Sequence, residues 1–480
     1  MMRRDRRLAA IVFAFASTLV LGASQDPAQK ALASIDARSS RYAEVARQIW
    51  DFAEVGYQEE RSSKLLQAEL ASAGFRIEAG VAGMPTSFVA HAGSGRPVIA
   101  ILAEFDALPG ITQDASPARN PVAGKDAGHA CGHHLFGTGS VAAAIAVTDW
   151  LAATKTSGTI RVYGTPAEEG GAGKVYMVRA GLFKDVDAVL HWHASDRNDA
   201  SPGSSLANKS AKFRFKGLSA HAAAAPERGR SALDGVEAMN HMVNLMREHV
   251  PEDTRMHYVI THGGSAPNVI PDFAEVFYYV RHPDPKEVAA LFDRVVKASE
   301  GAALGTGTTV DHEVIHGIYA LLPNDTLGRV MDRRLREVGG VDYTAEERVF
   351  AEKIRTTLGS DLPPLSASRD IEPFAIKEAG GSTDVADVSW VVPTAGLRTA
   401  TWVPGTPSHS WQAIAAGGTS IGVKGMIVAS KTLARTAMDL FSDPSTVRAA
   451  QDEYRKRVGP DFTYVPLVGN RPPPLDYRKK

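Results

Sequence analysis

The run His129-Ala130-Cys131-Gly132-His133-His134 sets the only cysteine of a 480-residue chain among imidazoles. Glu168-Glu169, His191-Trp192-His193 and Pro407-Ser408-His409-Ser410 follow further along. Thiolate, imidazole and carboxylate are the groups that bind zinc-like cations. A spare carboxylate beside a ligand carboxylate is what metal-assisted hydrolysis needs as a proton carrier. Cys131 and His133, two residues apart, would face different sides of a helix, so they are expected on a loop leading into a helix after Gly137. Glu168 and Glu169 are adjacent, so one meets a given cation and the other is left for proton transfer. His191 and His193 would share one face of a strand, and either could ligate. His409 sits in a Gly405-Thr406-Pro407-Ser408 turn that would hold its ring. Such a donor set exceeds the four ligands of one structural zinc. Two cations about 3.5–4 Å apart that share a water fit it better.

The elements around these residues read as α/β. Val98–Ala103 is a continuous apolar run, as a parallel strand buried on both faces would be. It ends in Glu104-Phe105-Asp106. Thr159–Tyr163 and Ala188–Trp192 are further strands, ending near Glu168-Glu169 and at His193. Helical spacing covers 43–50, 62–73 and 137–153. Strands alternating with helices imply an α/β sheet, and open sheets of this kind bind ligands at the carboxyl ends of their strands. From about Ser210 the texture changes. Strands at 212–216, 256–262, 273–281 and 308–315, with helices at 231–250 and 285–298, give the order β-α-β-β-α-β of a ferredoxin-like unit. That unit is an insertion, because His409 comes later, in a final α/β section from about Asn324.

A net charge of −1 without a long basic tract gives no electrostatic footprint for nucleic acid. The length exceeds one ordinary core. Met1–Arg7 carries four arginines, Leu8–Leu21 is apolar except for Ser17 and Thr18, and Gly22-Ala23-Ser24 follows. This is the layout of a cleavable secretory signal peptide, so an exported, periplasmic or secreted protein is expected. The apolar run falls short of the roughly 20 residues that span a bilayer, so no stable membrane anchor is expected. With one cysteine there is no internal disulfide. No Gly-x-Ser-x-Gly elbow is present. Gly137-Thr138-Gly139 lacks the third glycine of a dinucleotide fingerprint and reads as tight helix packing.

Four segments carry a resemblance: Ala103-Glu104-Phe105-Asp106-Ala107-Leu108-Pro109-Gly110, the Gly-His-Ala-Cys-Gly-His run, Pro166-Ala167-Glu168-Glu169-Gly170-Gly171, and Gly405-Thr406-Pro407-Ser408-His409-Ser410. Together they resemble the amidohydrolase branch of the aminoacylase/carboxypeptidase metallopeptidases, and with Ser382–Trp390 the likeness spans nearly the whole mature chain. It implies a dinuclear metallopeptidase catalytic α/β domain with an inserted ferredoxin-like lid and dimerisation domain. The expected segments are 1–24 signal peptide, 25–208 and 323–480 catalytic, and 209–322 lid. The resemblance implies two divalent transition-metal ions, zinc or manganese, on Cys131, His133, Glu169, His193 and His409, which favours His193 over His191. It makes Glu168 the general base and Asp106 a carboxylate that fixes a ligand. His221 would stabilise the oxyanion, often across a dimer, while Asn268 and Arg281 would meet the substrate carboxylate, for which arginine's fork is suited. The implied reaction is amide hydrolysis of small N-acyl or N-aroyl amino acids such as aminobenzoyl-glutamate. A dipeptidase or other acylase on the same site is the enzymatic alternative, and a non-catalytic binding subunit the other. A homodimer is expected, with a second subunit left open. His134 departs from the pattern, where relatives more often carry Asn or Asp.

Overall fold

The computed structural model describes residues 26–378 and 381–479, so the expected signal segment lies outside the described residues. The chain forms two principal sheets from strands β1 (Arg76–Ala79), β2 (Phe88–Ser94), β3 (Val98–Glu104), β4 (Gly158–Thr165), β5 (Ala188–Ser195), β6 (Ala207–Lys216), β7 (Arg255–His262), β8 (Phe273–His282), β9 (Thr309–Ile318) and β10 (Thr394–Ala400). The six-stranded sheet has the order β1-β2-β4-β3-β5-β10. Its β4, β3, β5 and β10 run parallel, and β1 and β2 close one edge antiparallel. The α/β reading is borne out.

The apolar run at the centre is β3, and all of its residues are buried. The helix His133–Thr154 packs against it, with Ser420–Ser442 alongside. His133–Thr154 is long and apolar enough to cross a membrane, but 83% of its most apolar window is buried inside the protein. An all-round apolar helix of this kind belongs in a core. Gly137 is what brings it close: a Cβ there would lie 2.7 Å from the Glu104 carbonyl oxygen. Gly139 packs on the Trp192 ring, and the Trp192 indole N–H donates to the Phe136 carbonyl at 3.1 Å. Tight helix packing, as read from the sequence, is the role of this glycine pair.

The helix begins at His133, not after Gly137 as expected. Gly132, at φ +77°, makes the left-handed turn that starts it. His133 is therefore its first residue, and Cys131 stays in the preceding turn. Two boundaries in the insertion also differ. Pro285–Thr306 runs past Ala298 to a left-handed Gly307 cap, and Ala232–Met246 gives way to a 3-10 turn before Val250.

The four-stranded sheet has the order β7-β8-β6-β9 and is antiparallel throughout. With Ala232–Met246 between β6 and β7 and Pro285–Thr306 between β8 and β9, it follows the order β-α-β-β-α-β. Alternation along β6 sends Ala211, Phe213 and Phe215 into a separate apolar cluster under both helices. The opposite face carries Arg214, paired with Glu275 at 2.9 Å and Glu313 at 2.7 Å.

Candidate metal centre

Each parallel strand hands a polar group to the same end of the large sheet. β3 ends at Glu104, in register with Thr165 at the end of β4, and Asp106 follows two residues later. The loop after β4 carries Glu168 and Glu169, β5 carries His193, and the turn after β10 carries His409. Cys131 lies at the mouth of the core helix.

The β4 loop is held in a costly conformation. Ala167 (φ +57°) and Ala172 (φ +57°) are left-handed without being glycine, which costs of order 1–3 kcal/mol each. Buried carboxylates hold it there. Glu59 accepts from the Ala167 N–H at 2.8 Å, and Asp106 Oδ2 accepts from the Glu169 N–H at 2.9 Å. His409 is also left-handed (φ +60°), and its N–H donates to the Ala130 carbonyl at 3.0 Å.

Ligand atoms converge in overlapping groups whose members lie within 4.8 Å of one another: Cys131, His133 and His193; Cys131, Glu169 and His409; Glu104, His133 and Glu168. Cys131 Sγ is 3.3 Å from His193 Nε2. The imidazoles are oriented from behind. His133 Nδ1 is 2.9 Å from Asp106 Oδ1, and His193 Nδ1 is 2.7 Å from the Ala194 carbonyl. Both arrangements leave Nε2 aimed into the cluster, as second partners do for metal-bound histidine. His133 Nε2 is 3.1 Å from Glu104 Oε2, and His409 Nε2 is 3.2 Å from Glu169 Oε1. Yet among the described residues Glu104 Oε2, His133 Nε2 and Glu169 Oε1 are buried without a hydrogen-bond partner. Such atoms demand an explanation. Close approach without hydrogen-bond geometry fits donors aimed at a shared cation.

Electrostatics agree with this fit. Burial pushes the Cys131 thiol up, and Glu169 adds to it, so a thiolate there needs a cation beside it. Burial, with His133 nearby, pulls His193 down to about 4, which keeps a neutral lone pair available. Burial also acts on Glu168, whose carboxyl is held well above the ordinary range with Glu104 and Glu169 adding to the shift. Burial alone would raise Glu104, but Lys174 and His133 hold it low. The soft and borderline donor set suits zinc or a neighbouring transition metal.

The model of peptidase family M20/M25/M40 matches residues 100–362, a span that holds Glu104, Asp106, Cys131, His133, both glutamates and His193. The chain belongs to that family. It is 41% identical over 470 residues to one of the two subunits of the p-aminobenzoyl-glutamate hydrolase of Escherichia coli (strain K12), covering 92% of this chain and 98% of that protein. With the Xaa-Arg dipeptidase of Mus musculus it shares 29% identity over 443 residues, 89% and 92% of the two chains. Among solved structures, the aminobenzoyl-glutamate utilization protein from Klebsiella pneumoniae matches with TM-score 0.60 at 19% identity, over 85% of this chain and 97% of that one. A Bacillus subtilis dinuclear metal binding peptidase of the M20 family matches with TM-score 0.57 at 18% identity, over 85% and 99%. These two share the fold. The chain is thus a metal-dependent amide hydrolase of the M20 fold, and the resemblance carried by its motifs is borne out.

Cys131, His133, Glu168, Glu169, His193 and His409 come together as a cluster, with Asp106 behind His133. His191 does not join them. Its ring packs over Gly396 of β10, where a Cβ would lie 2.3 Å away. His129 and His134 are buried against the carbonyls of Ile49 and Gly417, each at 3.0 Å. His221, Asn268 and Arg281 stay in the inserted unit. His221 Nδ1 accepts from the Ala223 and Ala224 amides at 3.2 Å, and Arg281 lies over the Tyr279 ring. Sequence reasoning missed Glu104 as a member, and with it Lys174, whose Nζ bridges Glu104 Oε1 at 2.8 Å and Asp384 Oδ1 at 2.7 Å. Glu59 was missed too. The only sequence signal was Glu104 sharing the strand-end motif with Asp106.

Proposed function

We propose that this chain hydrolyses the amide bond of N-acyl or N-aroyl amino acids such as p-aminobenzoyl-glutamate, with Glu168 as general base. The observation that carries this reading is the convergence of thiol, imidazole and carboxylate donors around unbonded, buried ligand atoms beside a raised Glu168. Cys131, His133, Glu169, His193 and His409 would hold two divalent transition-metal ions, zinc or manganese. When bound, such ions polarise the scissile carbonyl and make water acidic. Glu168 takes the proton from the attacking water and delivers it to the leaving nitrogen, and a raised carboxyl pKa suits both transfers. Asp106 holds His133 in one tautomer through Nδ1.

The substrate is supported by the E. coli p-aminobenzoyl-glutamate hydrolase relative. The dipeptidase relative supports a second reading, cleavage of dipeptides at the same site. Arg281 and Asn268 are assigned to the substrate carboxylate. His221 is assigned to the oxyanion of a second copy, because it lies outside its own chain's cluster. The β7 edge supports a homodimer: Tyr258, Val259 and Ile260 are exposed along an unpaired strand, which invites pairing. The other chain of the E. coli hydrolase, 31% identical to this one over 278 residues, supports instead an assembly with a second, different chain. Export rests on residues 1–24. N-terminal sequencing of the mature protein tests it.

The function is tested by metal-reconstituted protein against p-aminobenzoyl-glutamate, N-acyl amino acids and a dipeptide panel, with Glu168→Ala in parallel. Glu168→Ala is expected to keep its metal and lose at least about two orders of magnitude in rate. Full activity in that variant removes Glu168 from the mechanism. Turnover of dipeptides alone replaces the aroyl substrate with the second reading. Sedimentation showing a monomer at micromolar concentration removes His221 from a role across the dimer.

A further inference from the structure

The C-terminal stretch beyond the last helix, Pro444–Val458, crosses the molecule and ends on the candidate metal centre. It starts at the junction with the inserted unit. Leu467 is buried in a cluster with Ala207, at the start of β6, and Tyr319, just past β9. A Cβ on Gly317 would lie 2.7 Å from the Leu467 backbone. Arg471 then donates to the Val314 and Ile315 carbonyls of β9 and pairs with Glu313 at 3.1 Å. Arg179 holds the same stretch from the catalytic side, donating to the Gly469 and Arg471 carbonyls at 2.9 and 2.8 Å.

Past the Pro472-Pro473-Pro474 run the chain turns inward. Gln58 donates to the Leu475 carbonyl at 2.8 Å. The Tyr477 ring packs edge-on against Tyr57 at 5.7 Å, and Tyr57 Oη donates to the Gly171 carbonyl at 2.7 Å. Tyr477 Oη and Arg478 Nη2 both donate to the carbonyl of Glu169, at 3.0 and 2.9 Å. Glu169 is thus gripped on both sides of its backbone, by Asp106 at the N–H and by the tail at the carbonyl.

We propose that residues 459–479 act as a strap, with Tyr477 and Arg478 as positioning residues for Glu169 and Arg471 as the anchor on the inserted unit. The left-handed Ala167 and Ala172 give the Glu168–Glu169 loop a reason to relax. Two donors on one carbonyl oppose that relaxation at the residue whose carboxylate faces His409. A proline run between the Arg471 anchor and Tyr477 transmits position well, because proline removes backbone freedom. The inference rests on the reading of the site as a metal centre.

The test is the double variant Tyr477→Phe/Arg478→Ala, which keeps the Tyr57 packing and removes both donors, beside Tyr477→Phe alone and Arg478→Lys. Zinc and manganese affinities are measured by chelator competition, kcat and KM on the best amide substrate, and amide exchange across 168–172. The double variant is expected to bind metal about 10–100-fold more weakly, the scale for loss of outer-sphere support. Its kcat is expected to fall while KM stays within about twofold, the signature of lost transition-state support, and 168–172 to exchange faster. Arg478→Lys restores a donor and is expected to recover most of the affinity. A double variant with wild-type affinity, kcat and exchange overturns the strap alone. A wild-type chain that takes up neither cation overturns the reading of the site and the strap with it.

Discussion

Replacing Lys174 by Met isolates the part of the site that sequence did not reveal. Lys174 Nζ sits between Glu104 Oε1 at 2.8 Å and Asp384 Oδ1 at 2.7 Å, and all three side chains are at most 1% exposed. Its backbone N–H also donates to Asp384 Oδ2 at 2.9 Å. Methionine keeps the unbranched stem and removes the charge, leaving two carboxylates in a place water does not reach. Removing one partner of a buried pair costs about 3–5 kcal/mol. With a urea slope of about 3 kcal/mol per molar, that moves the unfolding midpoint down by roughly 1–1.7 M. The double variant Lys174→Met/Asp384→Asn tests the cause, because replacing a buried pair by neutral groups is often nearly neutral. It is expected to recover at least half of the loss. The assay is urea unfolding followed by far-UV circular dichroism, with metal content measured on the same samples. A Lys174→Met protein within about 0.5 kcal/mol of wild type, the scale of an ordinary surface change, refutes the claim that this ammonium holds the site together.

Asp106→Asn keeps an acceptor for His133 but sets an amide N–H₂ or a weaker acceptor against the Glu169 N–H. Zinc affinity by chelator competition is expected to fall about 10–100-fold, and unchanged affinity discards Asp106 as an orienting group. Burial pushes Asp387 up to about 7, although Tyr464 Oη and the Tyr319 N–H donate to it. A carboxyl raised on folding contributes stability that is fully present below about pH 4 and lost as pH rises through about 7. The span is about 4 kcal/mol at 1.36 kcal/mol per unit. The difference in unfolding free energy between wild type and Asp387→Asn should therefore change steadily from pH 4 to 7, and a flat difference refutes the shift.

What the sequence could disclose was chemistry packed into short runs. Cys131-Gly132-His133 and Glu168-Glu169 announce themselves by residue type, and their placement after apolar strand runs locates them on one sheet edge. The alternation in β6 and the β-α-β-β-α-β order made the insertion legible for the same local reason. Lys174 and Asp384 are 210 positions apart, and nothing local distinguishes a lysine buried between carboxylates from one in solvent. His129 and His134 look like ligands in sequence, yet each is turned to a backbone carbonyl by packing of distant segments. The C-terminal prolines read as a tail because the partners of Tyr477 and Arg478 lie about three hundred residues earlier, a separation of 308 for Tyr477. Even the start of the core helix moved to His133, because one left-handed glycine can redirect the chain within a single residue.

Anomalous scattering from a crystal of the zinc-reconstituted protein tests the metal centre most directly. The account predicts two zinc peaks about 3.5–4 Å apart, enclosed by Cys131, His133, Glu169, His193 and His409, with the Glu168 carboxylate beside them. A single peak elsewhere, or none at this end of the sheet, contradicts it.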